Sequence, residues 1–297
     1  MSSTQRKSNN LIVKVISLLT IVRWYNVLLV TVALTLSSLF LFNDFDISGF
    51  STLKDGRLIL LLLSVDFIMM AGFIINAFYD FEKDIINRPD ETIFGRIVSK
   101  GFCLNFYVFL VFSGLLFAVF HSFLMIVFMF LFSFGLWFYS HKLRRKILTA
   151  ELSASLLIIA PFFPLVIHYH RVSQMTILFL GYIFLISFIR EIIKKMVSLK
   201  GDLIVGDKSL PIVFGIRKTK YLMLTLMIMT VGCIGAISPN IMHLPILYYF
   251  FFATIGLFTA LILLRNSRTP AQFERLNTLF KILLVTGLMS IPLVYNI

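Results

Sequence analysis

Residues 58–89 read LILLLLSVDFIMMAGFIINAFYDFEKDIINRP. The stretch 58–79 is almost wholly apolar, and a helix of that length, rising 1.5 Å per residue, crosses the roughly 30 Å hydrocarbon core of a bilayer. Its far end changes character. Asn76, Asp80 and Asp84 recur every four residues, so a helix carries them on one face, one turn apart. Like charges stacked in this way repel unless water or a cation lies between them. Mg2+ prefers carboxylate oxygens, keeps several waters and shares its remaining places with substrate phosphates, so the pair suits a diphosphate gripped through metal. The bland alternative is a solvated helix end. Against it, the residues around Asp80 stay apolar and aromatic and Asn76 lies a turn deeper, and ionisable groups at membrane depth are as a rule functional.

The composition of the whole chain agrees with that stretch. Of 297 residues, 59% are hydrophobic and 14% charged, where a soluble domain has roughly 45–50% and about 25%. Mean hydropathy is +0.95. A soluble globular class is excluded, and the 33 Phe residues need no single core, because lipid accepts them on every helix face. Cys103 and Cys233 sit in apolar runs at no metal or redox spacing and read as packing residues. The five His residues, His121, His141, His168, His170 and His243, form no ligand spacing and are assigned no role. The polar start MSSTQRKSNN (1–10) precedes an apolar stretch that ends in Arg23-Trp-Tyr-Asn26, not in a small-residue cleavage site, so a removed signal peptide is not expected.

Nine apolar blocks follow one another at 24–42, 58–79, 102–119, 121–139, 149–168, 174–194, 219–237, 244–264 and 277–295, with 11–22 a short helix leading into the first. The expected fold is all-α, a nine-helix polytopic membrane bundle in a single domain spanning 1–297. Basic residues test the count, since they collect in cytoplasmic loops. With nine spans, 24 of the 27 fall on one side and Lys54, Arg57 and Arg171 on the other, which places the N-terminus in the cytoplasm and the C-terminus outside. The net charge of +13 is thereby explained by basic loops facing anionic headgroups, without nucleic acid. Two of those loops, 80–101 and 190–220, mix acids among their bases. Asp66 stands apart inside the second block and reads as a polar contact between helices.

The second mixed loop runs Arg190-Glu-Ile-Ile-Lys194-Lys-Met-Val-Ser198-Leu-Lys-Gly201-Asp202. Arg190, Lys194 and Ser198 share a helix face, and Gly201 is expected to break the helix before Asp202. Cations that donate to phosphate oxygens beside an acid that holds an ion make up a diphosphate site with metal. A basic loop with no further role explains this segment, taken alone, equally well.

Taken together, Asn76, Asp80, Asp84 and Asn87-Arg88-Pro89, with Arg23-Trp-Tyr-Asn26, Tyr139-Ser140-His-Lys142-Leu-Arg144 and Gly206-Asp-Lys-Ser-Leu-Pro211 followed by Gly215, carry a resemblance over nearly the whole chain. They resemble the UbiA superfamily of intramembrane prenyltransferases, whose members have nine transmembrane helices and Asp-rich motifs after helices two and six. The texture of 80–100 and 190–194 is similar to its geranylgeranylglycerol-phosphate geranylgeranyltransferase branch, bacterial members included. The resemblance implies a Mg2+-dependent enzyme of a bacterial inner (plasma) membrane, with its active site facing the cytoplasm. It would move an isoprenyl group from a polyprenyl diphosphate to a membrane-associated acceptor, a glycerol-phosphate lipid or a quinone precursor. No nucleic acid and no protein partner is implied.

By that resemblance Asp80, Asp84 and Asp202 are the catalytic metal ligands. Asn76 orients diphosphate or metal, Lys142, Arg190 and Lys194 contact substrate phosphate, and Arg88 and Asn26 are further substrate-binding residues. Tyr139 and Ser140 lie near the reacting carbon or the acceptor, while Arg23 guides an anionic acceptor. One departure stands out, because the family's second motif has acids where this chain has Lys195 and Ser198, leaving only Asp202. That departure motivates an alternative, an impaired member that binds isoprenoid diphosphate or a partner without turnover. A transporter is the third reading, disfavoured because the charge gathers at helix ends and not at the midplane.

Overall fold

Backbone groups in hydrocarbon have to be paired within their own segment, so long apolar blocks fold as helices. The structure is a computed structural model describing residues 3–42, 52–87, 98–206 and 208–294. Its helices in chain order are α1 (Ser3–Ile21), α2 (Trp24–Phe40), α3 (Gly56–Asn87), α4 (Lys100–Val119), α5 (Phe123–His141), α6 (Thr149–Ile159), α7 (Phe163–Tyr169), α8 (Gln174–Val197), α9 (Leu199–Val205), α10 (Leu210–Val213), α11 (Gly215–Ile241), α12 (Ile246–Asn266) and α13 (Pro270–Met289). Each apolar block of the sequence lies on helix.

Among the described residues, seven helical segments are long and apolar enough to cross a membrane, or up to eight if the bent pair α1–α2 counts as one span. The block at 277–295 is not among them. Its helix, α13, starts earlier and carries Glu274, Arg275 and Lys281 within 20 residues. The block at 149–168 is interrupted at Ala160–Phe162 by a 3-10 turn between α6 and α7, where Pro161 and Pro164 each lack the N–H that a continuous helix uses. Between α1 and α2 the axis bends by 53°, and Arg23 at the bend takes a positive φ of 50°.

The chain divides into two compact units, Met1–Thr31 with Ile59–His141, and Val32–Leu58 with Lys142–Ile297. In the first, α3 approaches α4 and α5 at glycines. A Cβ on Gly114 would stand 2.8 Å from the Ile68 side chain, and one on Gly72 2.8 Å from Leu136. Small residues permit such close approach where no hydrophobic force drives helices together. The Ser64 hydroxyl donates to the Gly114 carbonyl at 2.7 Å across the same contact. At the other end of α3, Ile21, Val22, Ala71, Ile74, Val98, Cys103 and Leu110 form an apolar cluster.

In the second unit α8 is the central helix, packed by α6, α11 and α13. Phe179, Tyr182, Ile183, Ile186 and Ile189 are buried along it. Two tyrosines carry hydroxyls into this apolar interior and satisfy one another: Tyr182 and Tyr249 are 2.6 Å apart, and Tyr249 donates on to the Leu283 carbonyl at 2.8 Å.

Candidate functional site

In the first unit, α3 continues unbroken past the apolar block to Asn87, so the spacing of Asn76, Asp80 and Asp84 is realised as three successive turns of one helix. The helical reading through Asp84 is thus the one realised, and residues 80–87, also counted into the loop 80–101, are helical. Asn76 and Asp80 are half-buried. The Asp84 side chain and Arg88 lie outside the described residues. Beside this turn comes the end of α5, where the Tyr79 and His141 rings are 5.4 Å apart and His141 stacks on Trp137 at 5.2 Å. Contact between Tyr79 and His141 thus brings the segment Tyr139-Ser140-His141 to the Asn76–Asp80 turn. Tyr139 is half-buried, and Ser140 is buried with its hydroxyl donating to the Leu136 carbonyl at 3.0 Å. Arg23 is exposed and holds its guanidinium 5.5 Å from the centre of the Phe73 ring on α3, a cation–π distance. Asn26, half-buried, donates its backbone N–H to the Arg23 carbonyl at 2.8 Å. Arg23, Asn26, Asn76, Asp80, Tyr139 and Ser140 thus belong to one unit.

Lys142, Arg190, Lys194 and Asp202 belong to the other unit. Lys142 is exposed after α5. On α8, Arg190 is half-buried and its Nε is buried with no hydrogen-bond partner. Lys194 donates to both carboxylate oxygens of Glu191, at 2.9 and 2.8 Å. The Glu191 side chain is only 9% exposed whereas that of Lys194 is 44% exposed, so the ammonium bridges a buried anion and the surface. The helix break falls elsewhere than expected. Gly201 lies inside α9, and Ser198, with φ −88° and ψ 12°, is the junction that ends α8 and begins α9. Gly206, not Gly201, terminates the short helix, with a positive φ of 76° that glycine adopts at no steric cost.

This junction sets the environment of Asp202, which is fully buried. Ser198 donates to Asp202 Oδ2 at 3.3 Å, and the Lys195 ammonium lies 3.9 Å from the same oxygen. Ser198 and Lys195, the two departures from the family motif, therefore both address the one acid that remains. Sequence reasoning missed Glu151 on α6 and passed over Glu191. Both are buried acids. A signal was present for Glu151, an ionisable residue inside an apolar block.

The donor chemistry fits Mg2+. Asp80 in the first unit and Asp202 in the second each offer hard carboxylate oxygens, the kind of ligand this ion takes. Among the described residues no three His, Cys, Asp or Glu side chains gather into a closed metal cage. Mg2+ bound to one or two carboxylates ordinarily completes its shell with phosphate and water.

The model of the UbiA prenyltransferase family matches residues 47–285. The digeranylgeranylglyceryl phosphate synthase of Korarchaeum cryptofilum is 28% identical over 250 residues, covering 82% of this chain and 87% of that protein. Among solved structures, one described as giving structural and mechanistic insights into digeranylgeranylglyceryl phosphate synthase in membranes matches with a TM-score of 0.69 at 20% identity, over 95% of this chain and 98% of that one. A UbiA homologue from Archaeoglobus fulgidus bound to DMAPP and Mg2+ matches with a TM-score of 0.66 at 15% identity, over 93% and 98%. A family match over most of the length, on the same helical fold, makes this integral multi-pass membrane protein a member of the UbiA prenyltransferase family.

Proposed function

We propose that the protein transfers an isoprenyl group from a polyprenyl diphosphate to a membrane-associated acceptor and releases pyrophosphate. A geranylgeranyl donor and a glycerol-phosphate lipid acceptor are the leading pair, and a quinone precursor is the other acceptor class. The observation that carries this reading is the run of Asn76, Asp80 and Asp84 on three consecutive turns of α3, at the end of a membrane-length apolar helix. The 28% identity to an archaeal digeranylgeranylglyceryl phosphate synthase supports the choice of donor and acceptor.

The reaction breaks the C1–O bond of an allylic diphosphate, leaving positive charge on the allyl group and negative charge on pyrophosphate. Mg2+, when bound, offsets that negative charge. Asp80 and Asp84 would hold it, Asn76 would orient diphosphate or metal, and Lys142, Arg190 and Lys194 would donate to phosphate oxygens, with Arg88 a further substrate-binding residue. Asp202 binds the second cation of the site. Tyr139 and Ser140 lie near the reacting carbon or the acceptor, Arg23 guides an anionic acceptor, and Asn26 is a further substrate-binding residue. Apolar and aromatic side chains keep water from the allylic cation. In this reading the chain makes nine spans as one domain, with the N-terminus and the site on the cytoplasmic side of the plasma membrane and the C-terminus outside. The distribution of basic residues, 24 against 3, supports that orientation.

The test incubates purified protein with labelled geranylgeranyl diphosphate, Mg2+ and a panel of acceptors. Asp80→Ala is expected to lower turnover by about 10²-fold or more, the loss typical when charge stabilisation is removed from a transition state. Undiminished product from that variant refutes the site. Diphosphate binding without turnover on every acceptor identifies the protein instead as the impaired member that Lys195 and Ser198 suggest.

A further inference from the structure

Prenyl transfer as proposed above calls for cations on α8, and Glu191 runs against that need. It stands next to Arg190 and one helical turn from Lys194, the two phosphate donors of this helix. A carboxylate so placed repels diphosphate. It is also buried, and an anion out of water is strongly unfavourable unless it is paired and hydrogen-bonded. The pairing is present. The Lys194 ammonium donates to Glu191 Oε1 at 2.9 Å and to Oε2 at 2.8 Å, across an i, i+3 spacing. Stability alone does not call for such a pair, because uncharged side chains of similar volume often serve a buried position as well or better. What the pair does fix is position. A lysine ammonium rides on a flexible four-carbon stem, and two bonds to one buried acid confine it to a single place. With its side chain 44% exposed, Lys194 remains accessible from water. On the same helix face, four residues earlier, the buried Nε–H of Arg190 has no hydrogen-bond partner.

We propose that Glu191 is a positioning residue for diphosphate binding, which holds the Lys194 ammonium from the buried side of α8 so that the cation meets phosphate already in place. The carboxylate itself touches no substrate and acts through Lys194. Its repulsion of the diphosphate is offset by the ordering it supplies, since a donor fixed before binding loses less freedom when the ligand arrives. The inference rests on the prenyl-transfer reading above, which makes Lys194 a phosphate donor.

The experiment is a double-mutant cycle on the full-length protein, read as the Kd of geranylgeranyl thiolodiphosphate, an unreactive donor, in the presence of Mg2+. Lys194→Ala and Glu191→Gln are each expected to raise Kd about 10-fold, the size of one hydrogen bond to a charged group. Together they are expected to raise it about 10-fold again and not about 100-fold, because residues that act as one unit are not additive. Additive losses overturn the inference, since Glu191 then acts apart from Lys194. An unchanged or lower Kd in Glu191→Gln overturns it too, and leaves the acid a structural group whose charge only repels. An unchanged Kd in Lys194→Ala overturns it while leaving prenyl transfer intact, whereas no binding to the wild type overturns the reading beneath it as well. If Glu191→Gln does not fold, Glu191→Asp takes its place in the cycle. That variant keeps the charge but is one methylene too short to reach Lys194 in the same way, and an unchanged Kd there overturns the inference.

Discussion

Asp66 lies within the apolar part of α3 and accepts a hydrogen bond at 2.7 Å from Thr31, whose hydroxyl also donates to the Val27 carbonyl at 2.9 Å. The interhelical role read from its isolation in the sequence is what the structure shows. Such bonds within membrane proteins contribute about 0.6 kcal/mol on average and at most about 2. Thr31→Val is therefore expected to lower stability by about that amount in thermal unfolding from detergent micelles, and Asp66→Asn, which keeps an acceptor, by less. At this same scale the sequence was least informative about Glu151. Its type and its apolar neighbours are visible in one dimension, but its burial arises from the packing of α6 on α8.

At the scale of elements, glycine shows how tertiary contacts override propensity. Ala is a better helix former than Gly by about 1 kcal/mol. At Gly181 in α8 an added Cβ meets nothing within 4 Å, so Gly181→Ala is expected to be neutral or to stabilise by up to about 1 kcal/mol. At Gly114 the same atom meets Ile68 at 2.8 and 2.9 Å and the Ser64 carbonyl at 3.2 Å. Gly114→Ala should therefore cost about 1–3 kcal/mol through overpacking, despite its better intrinsic helicity. Opposite shifts in the unfolding temperatures of the two variants check the argument, and equal shifts refute it. Element boundaries followed the same logic. The apolar blocks and the helical period through Asp84 were legible, whereas the junction at Ser198 was not, because a helix break between polar residues carries no hydropathy signal.

At the scale of the molecule, charge asymmetry gives the orientation a direct test. Lys54 and Lys218 are both exposed and fall on opposite sides of the proposed nine-span topology. In intact cells a membrane-impermeant maleimide is expected to label Lys54→Cys, and Lys218→Cys only after the membrane is opened. Cys103 and Cys233 should be replaced first to silence background. Labelling of both positions in intact cells sinks the orientation. The two motifs themselves fall in different compact units, the first on α3 and the second around the α8–α9 junction.

The chain by itself determined membrane residence, the order of the helical blocks and the stacking of Asn76, Asp80 and Asp84, because hydropathy and the helical period act between neighbours in sequence. Only the tertiary structure decided which charges are buried and what compensates them: the Lys194–Glu191 pair, the approach of Lys195 to Asp202, and the burial of Glu151 on α6. The physical reason is that burial and ion pairing depend on which helix faces meet, and the period of one helix does not specify its neighbour.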